Sequence, residues 1–499
     1  MAYLAQERYV SGISNERNLN NNQSKISPEA IIGDIVWQKF GSEIGHIERT
    51  GYEITNVIDL STWFRQLDTR ARANGYFGLR DVHERVADDI DSIFHIKLED
   101  TNSSDPLLHD RQVVLIRTKD GKKTIVAIAM YDKTDESLYF GATGNYNLPP
   151  NLDSPLAHTL RHSEKLAQTM RKKSHAIGMG HRLGGTKVIV GGNDWINSHT
   201  LQVVTGALFS KQGPFPNVIT GADVGQTEES LKNMEIGSRL GNGIGQIVGA
   251  EKSTLDIPSY IRHSILATYL NLKERLPEYH LPDLRDAYIS IQGLGKMGSQ
   301  IAEMYIEEEV RKLTVTDIAL FSDVFPSVPN SHQENIRNTL EKLNRLSRDN
   351  NIELEVAYPS EIWDKKADIF SPCSSEEHII SRQKIQRLAK SGVKVVLAGA
   401  NCPLECSELG SYAQQKFGIL IPPEVLSNGG PATAAAFEAL RLIYPEEFEG
   451  NGDFSKNDLV PHIRKNISAK VQHLIALMQT QSVSLYEAGD FVFHQGQVH

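Results

Sequence analysis

A glycine-rich turn after a β-branched run constrains this 499-residue chain more than any other feature. The run at 288–291 leads into Gln292-Gly293-Leu294-Gly295-Lys296-Met297-Gly298, which has the spacing G-x-G-x-x-G. Apolar residues at helical spacing follow, and a second apolar run ends on Asp317. Strand, turn, helix and strand form a βαβ unit, so the sequence predicts a parallel sheet with crossover helices.

The glycine spacing in this unit is that of a dinucleotide-binding turn. Gly293 permits the tight turn, Gly295 lets the backbone approach a pyrophosphate, and Gly298 allows close packing of helix on strand. The phosphates would lie at the helix N-terminus. A carboxylate at Asp317 accepts hydrogen bonds from the ribose hydroxyls and repels a 2′-phosphate, so NAD is favoured over NADP. A strand–helix turn without a ligand is the alternative.

Composition narrows the class of protein. With 40% hydrophobic and 23% charged residues, the length predicts a folded chain of about two to four domains. The excess of 62 acidic over 52 basic residues gives a net charge of −10, which disfavours nucleic acid as a partner. No apolar run reaches the roughly 20 residues that span a bilayer, and the N-terminus lacks a signal-peptide pattern. We therefore expect a cytoplasmic protein without a membrane partner.

The cysteines do not indicate a metal site or a disulfide framework. Cys373, Cys402 and Cys406 contain no C-x-x-C pair, and no histidines follow at zinc-ligand spacing. We expect no bound metal and a reducing compartment.

Further elements can be predicted from local patterns. Two β-branched runs flank Asp120-Gly121, which predicts a hairpin of 113–118 with 124–131. Other expected elements are a helix at 160–175, strands at 184–190 and 218–220, strands at 287–291, 313–317, 367–370 and 393–397, a helix from the glycine turn to about 312, and helices at 432–445 and 458–480. Residues 1–105 give no functional assignment.

Two residues upstream of the nucleotide unit are candidate catalytic residues. Lys187 follows Gly184-Gly185-Thr186, and Asp223 stands in the segment 220–225, TGADVG. Taken alone, Lys187 could be a solvated lysine at a strand end and Asp223 a turn residue. Their combination with a downstream nucleotide unit favours a catalytic role for both residues over these alternatives.

Six motifs carry a resemblance to a known family. They are GGTKVIV, TGADVGQT, GLGKMG, ADIFSPC, AGANCP and SNGG, and they occur in the order seen in the glutamate/leucine/phenylalanine/valine dehydrogenases. From about 110 to 490 the chain resembles this family, most closely its leucine and phenylalanine branch. The resemblance implies an α/β fold: a substrate domain with a mixed sheet (106–255), a Rossmann-like NAD-binding domain (256–430), a cleft between them, and C-terminal helices (431–499) that return to the substrate domain. Residues 1–105 would be an extension of unknown role.

The family resemblance also implies an activity and a set of contacts. The activity is reversible, NAD-dependent oxidative deamination of an L-amino acid to its 2-oxo acid and ammonia, carried out by a homo-oligomer. Lys187 would stabilise the developing carbonyl oxygen and polarise water, and Asp223 would act as general base and acid. Asn401 would face the substrate. The implied cofactor contacts are Gly293, Gly295, Lys296, Met297, Gly298, Asp317, Pro372, Cys373, Asn401 and Asn428.

The chain departs from the family pattern near the substrate carboxylate. Family members carry a second lysine about 12 residues before the catalytic one, which points to His175, whereas Lys173 lies two residues further back and Arg182 lies in the loop. The upstream glycine-rich segment is reduced to 141–145, GATGN. A regulatory or scaffold homologue that binds NAD without turnover therefore stays an alternative. A hydroxy-acid dehydrogenase is less favoured, because no matching position supplies its base.

The family resemblance bears on substrate side-chain preference as well. Ala434 falls where glutamate-specific members resemble one another in carrying a serine for the distal carboxylate. A methyl group offers no hydrogen bond to a buried charge, so an apolar or aromatic amino acid is favoured over glutamate.

Overall fold

The computed structural model describes residues 39–40, 52–75, 85–100, 108–131, 138–146, 155–180, 182–192, 194–222, 226–240, 247–248, 256–374, 378–444 and 456–494. The chain divides into two compact units. The first unit comprises 1–133, 138–167 and 186–252, and the second comprises 134–137, 168–185 and 253–499. The domain boundaries at 106, 256 and 431 remain predictions.

An eight-stranded mixed sheet forms the centre of the first unit, in the order β1-β2-β3-β4-β6-β5-β7-β8. The first four strands pair antiparallel, whereas β5, β7 and β8 pair parallel. The predicted hairpin is confirmed as β3 with β4. The strands are β1 Tyr52–Asp59, β2 Ile90–Asp100, β3 Leu108–Thr118, β4 Lys123–Tyr131, β5 Leu138–Tyr146, β6 Leu183–Gly191, β7 Val218–Ala222 and β8 Ile247–Val248.

Both faces of this sheet are covered, as the alternation of buried side chains along β3 shows. Val114 and Ile116 belong to a core that includes Phe64 and Leu201, whereas Val113 and Leu115 pack in a separate cluster with Leu160. Successive strand residues point to opposite faces, so a run of apolar residues fits a sheet buried on both sides. The helices are α1 Ser61–Ala73, α2 Pro155–Ala176, α3 His199–Ala207 and α4 Glu228–Ser238.

The second unit contains a five-stranded sheet whose paired strands all run parallel. Its order, β11-β10-β9-β12-β13, reverses beside β9, as in nucleotide-binding sheets of the Rossmann type. The predicted parallel sheet is confirmed. The strands are β9 Tyr288–Gln292, β10 Lys312–Thr316, β11 Glu353–Val356, β12 Ile369–Pro372 and β13 Val395–Val396.

Nine helices of the described second unit surround or follow this sheet. The helix predicted to reach about 312 ends at Glu307, because the chain turns through Glu309, whose φ is +56°, before β10. The helices predicted at 432–445 and 458–480 are confirmed. The helices are α5 Ile261–Arg275, α6 Lys296–Glu307, α7 Asn330–Asp349, α8 Arg382–Ser391, α9 Glu408–Phe417, α10 Glu424–Ser427, α11 Gly429–Ile443, α12 Lys456–Gln481 and α13 Leu485–His494.

Two elements are shared between the units. The last part of α2 and the first residues of β6 belong to the second unit, and the remainder of each belongs to the first. Across the described residues no helix is both long enough and apolar enough to cross a membrane.

Candidate active site

The glycine turn between β9 and α6 is shaped by backbone contacts that exclude a side chain. Gly293 has a φ of +92°, and its N–H donates to the Thr316 carbonyl at 2.8 Å. A Cβ at Gly293 would lie 2.9 Å from the backbone nitrogen of Ser374, and one at Gly298 would lie 1.9 Å from the Gly293 oxygen. Both positions therefore require glycine, as the spacing predicts.

The end of α6 that faces this turn leaves room for an anion. Gly295 is the N-cap and no side chain caps the helix, so its first N–H groups are not occupied by a capping side chain. A Cβ at Gly295 would meet no atom within 4 Å. Lys296, exposed, and Met297, half-buried, follow as the first helical residues. A pyrophosphate suits such a helix N-terminus.

Pro372 and Cys373 lie beside the turn at the end of β12. The Cys373 N–H donates to the Gln292 carbonyl at 2.7 Å, and the Pro372 carbonyl accepts from Gly399 at 3.0 Å. Burial raises the pKa of the Cys373 thiol to about 12, so this thiol is neutral at physiological pH. These predicted cofactor residues therefore gather at the carboxyl ends of β9 and β12, the crevice where ligands bind in such sheets.

Buried polar atoms at the carboxyl ends of β9 and β10 lack partners within the described part of the chain. They are Oε1 of Gln292, at the end of β9, and Oγ1 of Thr316, at the end of β10. A buried polar atom normally has a hydrogen-bond partner, and a ligand can supply it. Together with the space at Gly295, these atoms fit a bound dinucleotide.

Asp317 is tied to the glycine turn itself. It is 8% exposed, and its Oδ2 accepts from the Leu294 N–H at 2.8 Å while Oδ1 accepts from the Ala319 N–H at 2.9 Å. Sequence reasoning missed these bonds. The carboxylate thus fixes the conformation of the turn, and each oxygen keeps a second lone pair for a ribose hydroxyl.

Lys173 lies in a cluster with the side-chain amides of Asn401, which is half-buried, and Asn428, which is buried. Lys173 is 8% exposed, and its Nζ donates to Oδ1 of Asn401 at 2.8 Å. Nδ2 of Asn428 donates to the same oxygen at 3.2 Å and to the Ala400 carbonyl at 3.0 Å. Burial lowers the pKa of Lys173 to about 8, against the opposing effects of Glu424 and Cys402. The cluster holds a positive charge beside amides and suits a carboxylate ligand.

The other two cations considered for the substrate carboxylate have different neighbours. His175 lies against the backbone of Gly180, where a Cβ would meet its Nδ1 at 2.4 Å. The Arg182 guanidinium lies 5.2 Å from the centre of the Tyr444 ring. Lys173, two positions before the expected one, is thus the residue that the structure brings to Asn401.

Asn428 lies in the motif SNGG, and Ala434 stands four residues after the end of this motif. Asn428 is 4% exposed, and its Oδ1 has no partner among the described residues, which fits an amide group of a ligand. Ala434, on α11, is fully buried, so a larger residue there would displace a neighbour.

The remaining catalytic candidates lie in the first unit. Lys187 is 3% exposed on β6, and its carbonyl accepts from the Ser163 hydroxyl at 2.6 Å. A Cβ at Gly141, on β5, would lie 1.9 Å from the carbonyl oxygen of Thr186, the residue before Lys187. The reduced glycine segment therefore packs against the strand of the lysine. Asp223 lies outside the described residues.

No group of three or more His, Cys, Asp or Glu side chains that could hold a metal ion occurs where the structure describes the chain.

Comparison with known proteins shows which family part of the chain resembles. Residues 266–443 match the model of the glutamate/leucine/phenylalanine/valine dehydrogenases. A leucine dehydrogenase of Thermoactinomyces intermedius is 26% identical over 277 residues, 55% of this chain and 66% of that protein. A phenylalanine dehydrogenase of Bacillus thermotolerans is 26% identical over 345 residues, 68% of this chain and 79% of that one. Over these residues the chain is similar to members of the glutamate/leucine/phenylalanine/valine dehydrogenase family.

Solved structures agree with this family fold. The L-tryptophan dehydrogenase of Nostoc punctiforme has a TM-score of 0.51 at 21% identity, covering 77% of this chain and 94% of that one. The hetero-hexameric glutamate dehydrogenase of Thermus thermophilus has a TM-score of 0.54 at 16% identity, covering 87% and 94%. At these identities the similarity establishes the fold alone. The match to the leucine dehydrogenase spans about two thirds of that relative's length.

Proposed function

We propose that the protein is a pyridine-nucleotide-dependent dehydrogenase of an L-amino acid. The observation that carries the proposal is the buried Lys173 ammonium bonded to Asn401 beside Asn428, in the same unit as the glycine turn. The named relatives act on leucine and phenylalanine. The alternative, an NAD-binding homologue without turnover, is motivated by the altered second-lysine region, in which Lys173 would supply the cation for the substrate carboxylate.

The chain's residues divide the work between binding and proton transfer. Lys173 and Asn428 would bind the substrate carboxylate by charge and hydrogen bonding. Lys187 would stabilise the negative charge that develops on oxygen when water attacks, and Asp223 would accept protons from the amine and the water and return one to the departing ammonia. When bound, the nicotinamide supplies the acceptor for the hydride of the α-carbon. The exclusion of water by the buried surroundings of Lys173 and Lys187 would strengthen these interactions.

For the cofactor, we propose NAD rather than NADP. Asp317 directly follows β10, at the strand end where the adenine ribose lies in such sheets, and its carboxylate would repel a 2′-phosphate. Gly293, Gly295 and Gly298 would accommodate the pyrophosphate. For the substrate, an apolar or aromatic side chain is proposed, because Ala434 offers no polar group to a distal carboxylate.

The first prediction concerns turnover. Purified protein incubated with NAD and a panel of L-amino acids should form NADH, read by absorbance, with leucine, phenylalanine or tryptophan faster than glutamate. Lys187→Ala should lower kcat by about a hundredfold or more, because the developing oxyanion loses its stabilising charge.

Lys232→Ala is the matched control, since Lys232 is an exposed lysine of the same unit. It should retain wild-type turnover. Absence of turnover on every amino acid and every 2-oxo acid, with NAD still bound in calorimetry, would contradict the proposal and favour the non-catalytic alternative.

A further inference from the structure

Glu424 is a buried acid that the proposed chemistry has not used. It is 7% exposed and begins α10, the short turn that leads to Asn428. Its carbonyl accepts from the Asn428 N–H at 2.8 Å, so the two residues stand one helical turn apart. Side chains four positions apart on a helix lie on the same face. Glu424 is therefore carried by the same turn as a residue of the Lys173 cluster.

This turn is held firmly by hydrogen bonds of its last residue. The Ser427 hydroxyl donates to the Ala398 carbonyl at 2.7 Å, and the Ser427 carbonyl accepts from the Ser264 hydroxyl at 2.7 Å. Both bonds are buried, so the turn has little freedom to relocate its side chains. The backbone position of Glu424 is thus set by the fold.

Among the groups that act on Lys173, Glu424 contributes most to compensating the positive charge of its ammonium. Glu424 is the largest of the influences that raise the pKa of Lys173 against the lowering effect of burial, and Cys402 is the second. On α2 itself, Arg171 donates to the Phe493 carbonyl and Lys172 pairs with Asp490 at 3.3 Å, both on α13.

One further titratable group lies near this pair. Tyr486, on α13, interacts with Glu424, Cys402, Cys406 and Asp490, and burial raises its pKa far above the ordinary value. Its hydroxyl is therefore neutral over the physiological range and contributes no charge to the cluster.

We propose that Glu424 is a positioning residue that keeps Lys173 protonated for the substrate carboxylate. The inference rests on the proposed function, in which Lys173 binds that carboxylate. Within the described residues, Nζ of Lys173 donates one hydrogen bond, to Asn401, and none to Glu424. An ammonium has three N–H donors. Glu424 thus compensates the buried charge at a distance and leaves two donors for the ligand.

The test compares Glu424→Gln with Glu424→Asp in the full-length protein. KM for the fastest amino acid of the panel is measured at saturating NAD from about pH 6 to about pH 10. In the wild type KM should begin to rise near pH 8, where Lys173 loses its proton. In Glu424→Gln this rise should begin about one pH unit lower, so that KM at pH 8 increases about fivefold while kcat changes less than about threefold. Glu424→Asp should behave like the wild type.

A second background separates charge from structure. In Lys173→Arg the guanidinium stays protonated throughout this pH range. Adding Glu424→Gln to this variant should therefore leave the pH dependence of KM unchanged. Two results would overturn the inference. One is that KM of Glu424→Gln begins to rise at the same pH as KM of the wild type, and the other is that the variant loses only kcat.

A readout without turnover distinguishes this inference from the proposed function. The rate of acetylation of Lys173 by acetic anhydride, followed by mass spectrometry, reports the fraction of free amine at each pH. Its midpoint should lie about one unit lower in Glu424→Gln than in the wild type. An unmoved midpoint would refute the role of Glu424. A moved midpoint in a protein that turns over no amino acid would uphold the effect on Lys173 and refute the proposed function.

Discussion

At the scale of single residues, Asp317 joins two tasks in one carboxylate. The sequence predicts it at the end of a strand, within reach of a ribose. Its bonds to the N–H groups of Leu294 and Ala319 could not be predicted, because they depend on how the glycine turn folds back over the strand end. A substitution made to change cofactor preference will therefore also disturb the turn.

Replacement of Asp317 by asparagine tests this double role. The amide cannot accept from both N–H groups through two oxygens, so one buried donor loses its partner. We expect the free energy of unfolding to fall by about 1–3 kcal/mol and the Kd for NAD to rise about tenfold.

Chemical unfolding and calorimetric titration with NAD measure the two effects. Asp323→Asn, at an exposed aspartate in the following segment, should change neither. Weaker NAD binding at unaltered stability would show that the carboxylate serves the ribose alone.

His95 gives a pH-dependent contribution to stability. It is 3% exposed on β2, bonded to Gln112 and packed edge-on to Phe215 at 5.2 Å. Burial lowers its pKa from 6.5 to about 4. Between pH 6.5 and about 4, His95 binds a proton in the unfolded chain more readily than in the folded protein. The contribution of the neutral histidine to the free energy of unfolding is therefore complete above about pH 6.5 and is lost as the pH falls toward 4.

We expect His95→Gln to flatten this part of the stability profile. Wild-type unfolding free energy should fall by about 3 kcal/mol more than that of the variant between about pH 7 and pH 4. Urea unfolding at several pH values measures the difference. His158→Gln, at an exposed histidine, should follow the wild type. Parallel profiles for wild type and His95→Gln would contradict the assignment.

At the scale of elements, the close approach of β5 and β6 bears on Lys187. Gly141 stands where a Cβ would lie 1.9 Å from the Thr186 oxygen and 2.7 Å from its carbonyl carbon. Backbone atoms cannot rotate away as a side-chain end can. The glycine segment 141–145, which departs from the family pattern, thus packs against β6, the strand that carries Lys187.

Substitution of Gly141 by alanine should displace β6 at Thr186 and, with it, Lys187. We expect a loss of about 1–3 kcal/mol in unfolding free energy and a fall in kcat of about tenfold or more. Ala142→Ser, at the next position of the same strand, points to the other face and should have little effect. Thermal unfolding and the NADH assay measure both variants, and wild-type values for Gly141→Ala would contradict the packing argument.

The elements differ in how far the sequence could predict them. The βαβ unit has long apolar runs, and its strands and glycine turn were predicted. The edge strand β11, with the sequence ELEV, was missed because its alternating charges give no apolar run. Helix α7 was also missed, since most of its surface is polar and only a few residues, such as Ile336 and Leu343, are buried. The first hundred residues have no functional assignment from sequence, yet β1 and β2 extend the sheet of the first unit and α1 packs in its core.

At the scale of the whole molecule, neither compact unit is a continuous piece of sequence. Residues 168–185 belong to the second unit although the first unit resumes after them. Local patterns predict elements, but they do not assign an early segment to a late unit. The hydrogen bond between Lys173 and Asn401 joins residues 228 positions apart. Because of this separation, the sequence alone could not decide which of Lys173, His175 and Arg182 lies beside Asn401.

The distant partners of Lys173 also order events during synthesis. At roughly 5–20 residues per second, a ribosome needs on the order of 10–50 s to proceed from Lys173 to Asn401. Throughout that interval Asn401, Glu424 and Asn428 have not yet been added to the chain, so Lys173 lacks these neighbours. A chain that stops short of residue 401 would carry the lysine but not its distinctive proton affinity. That affinity is acquired only when the last fifth of the protein has been translated.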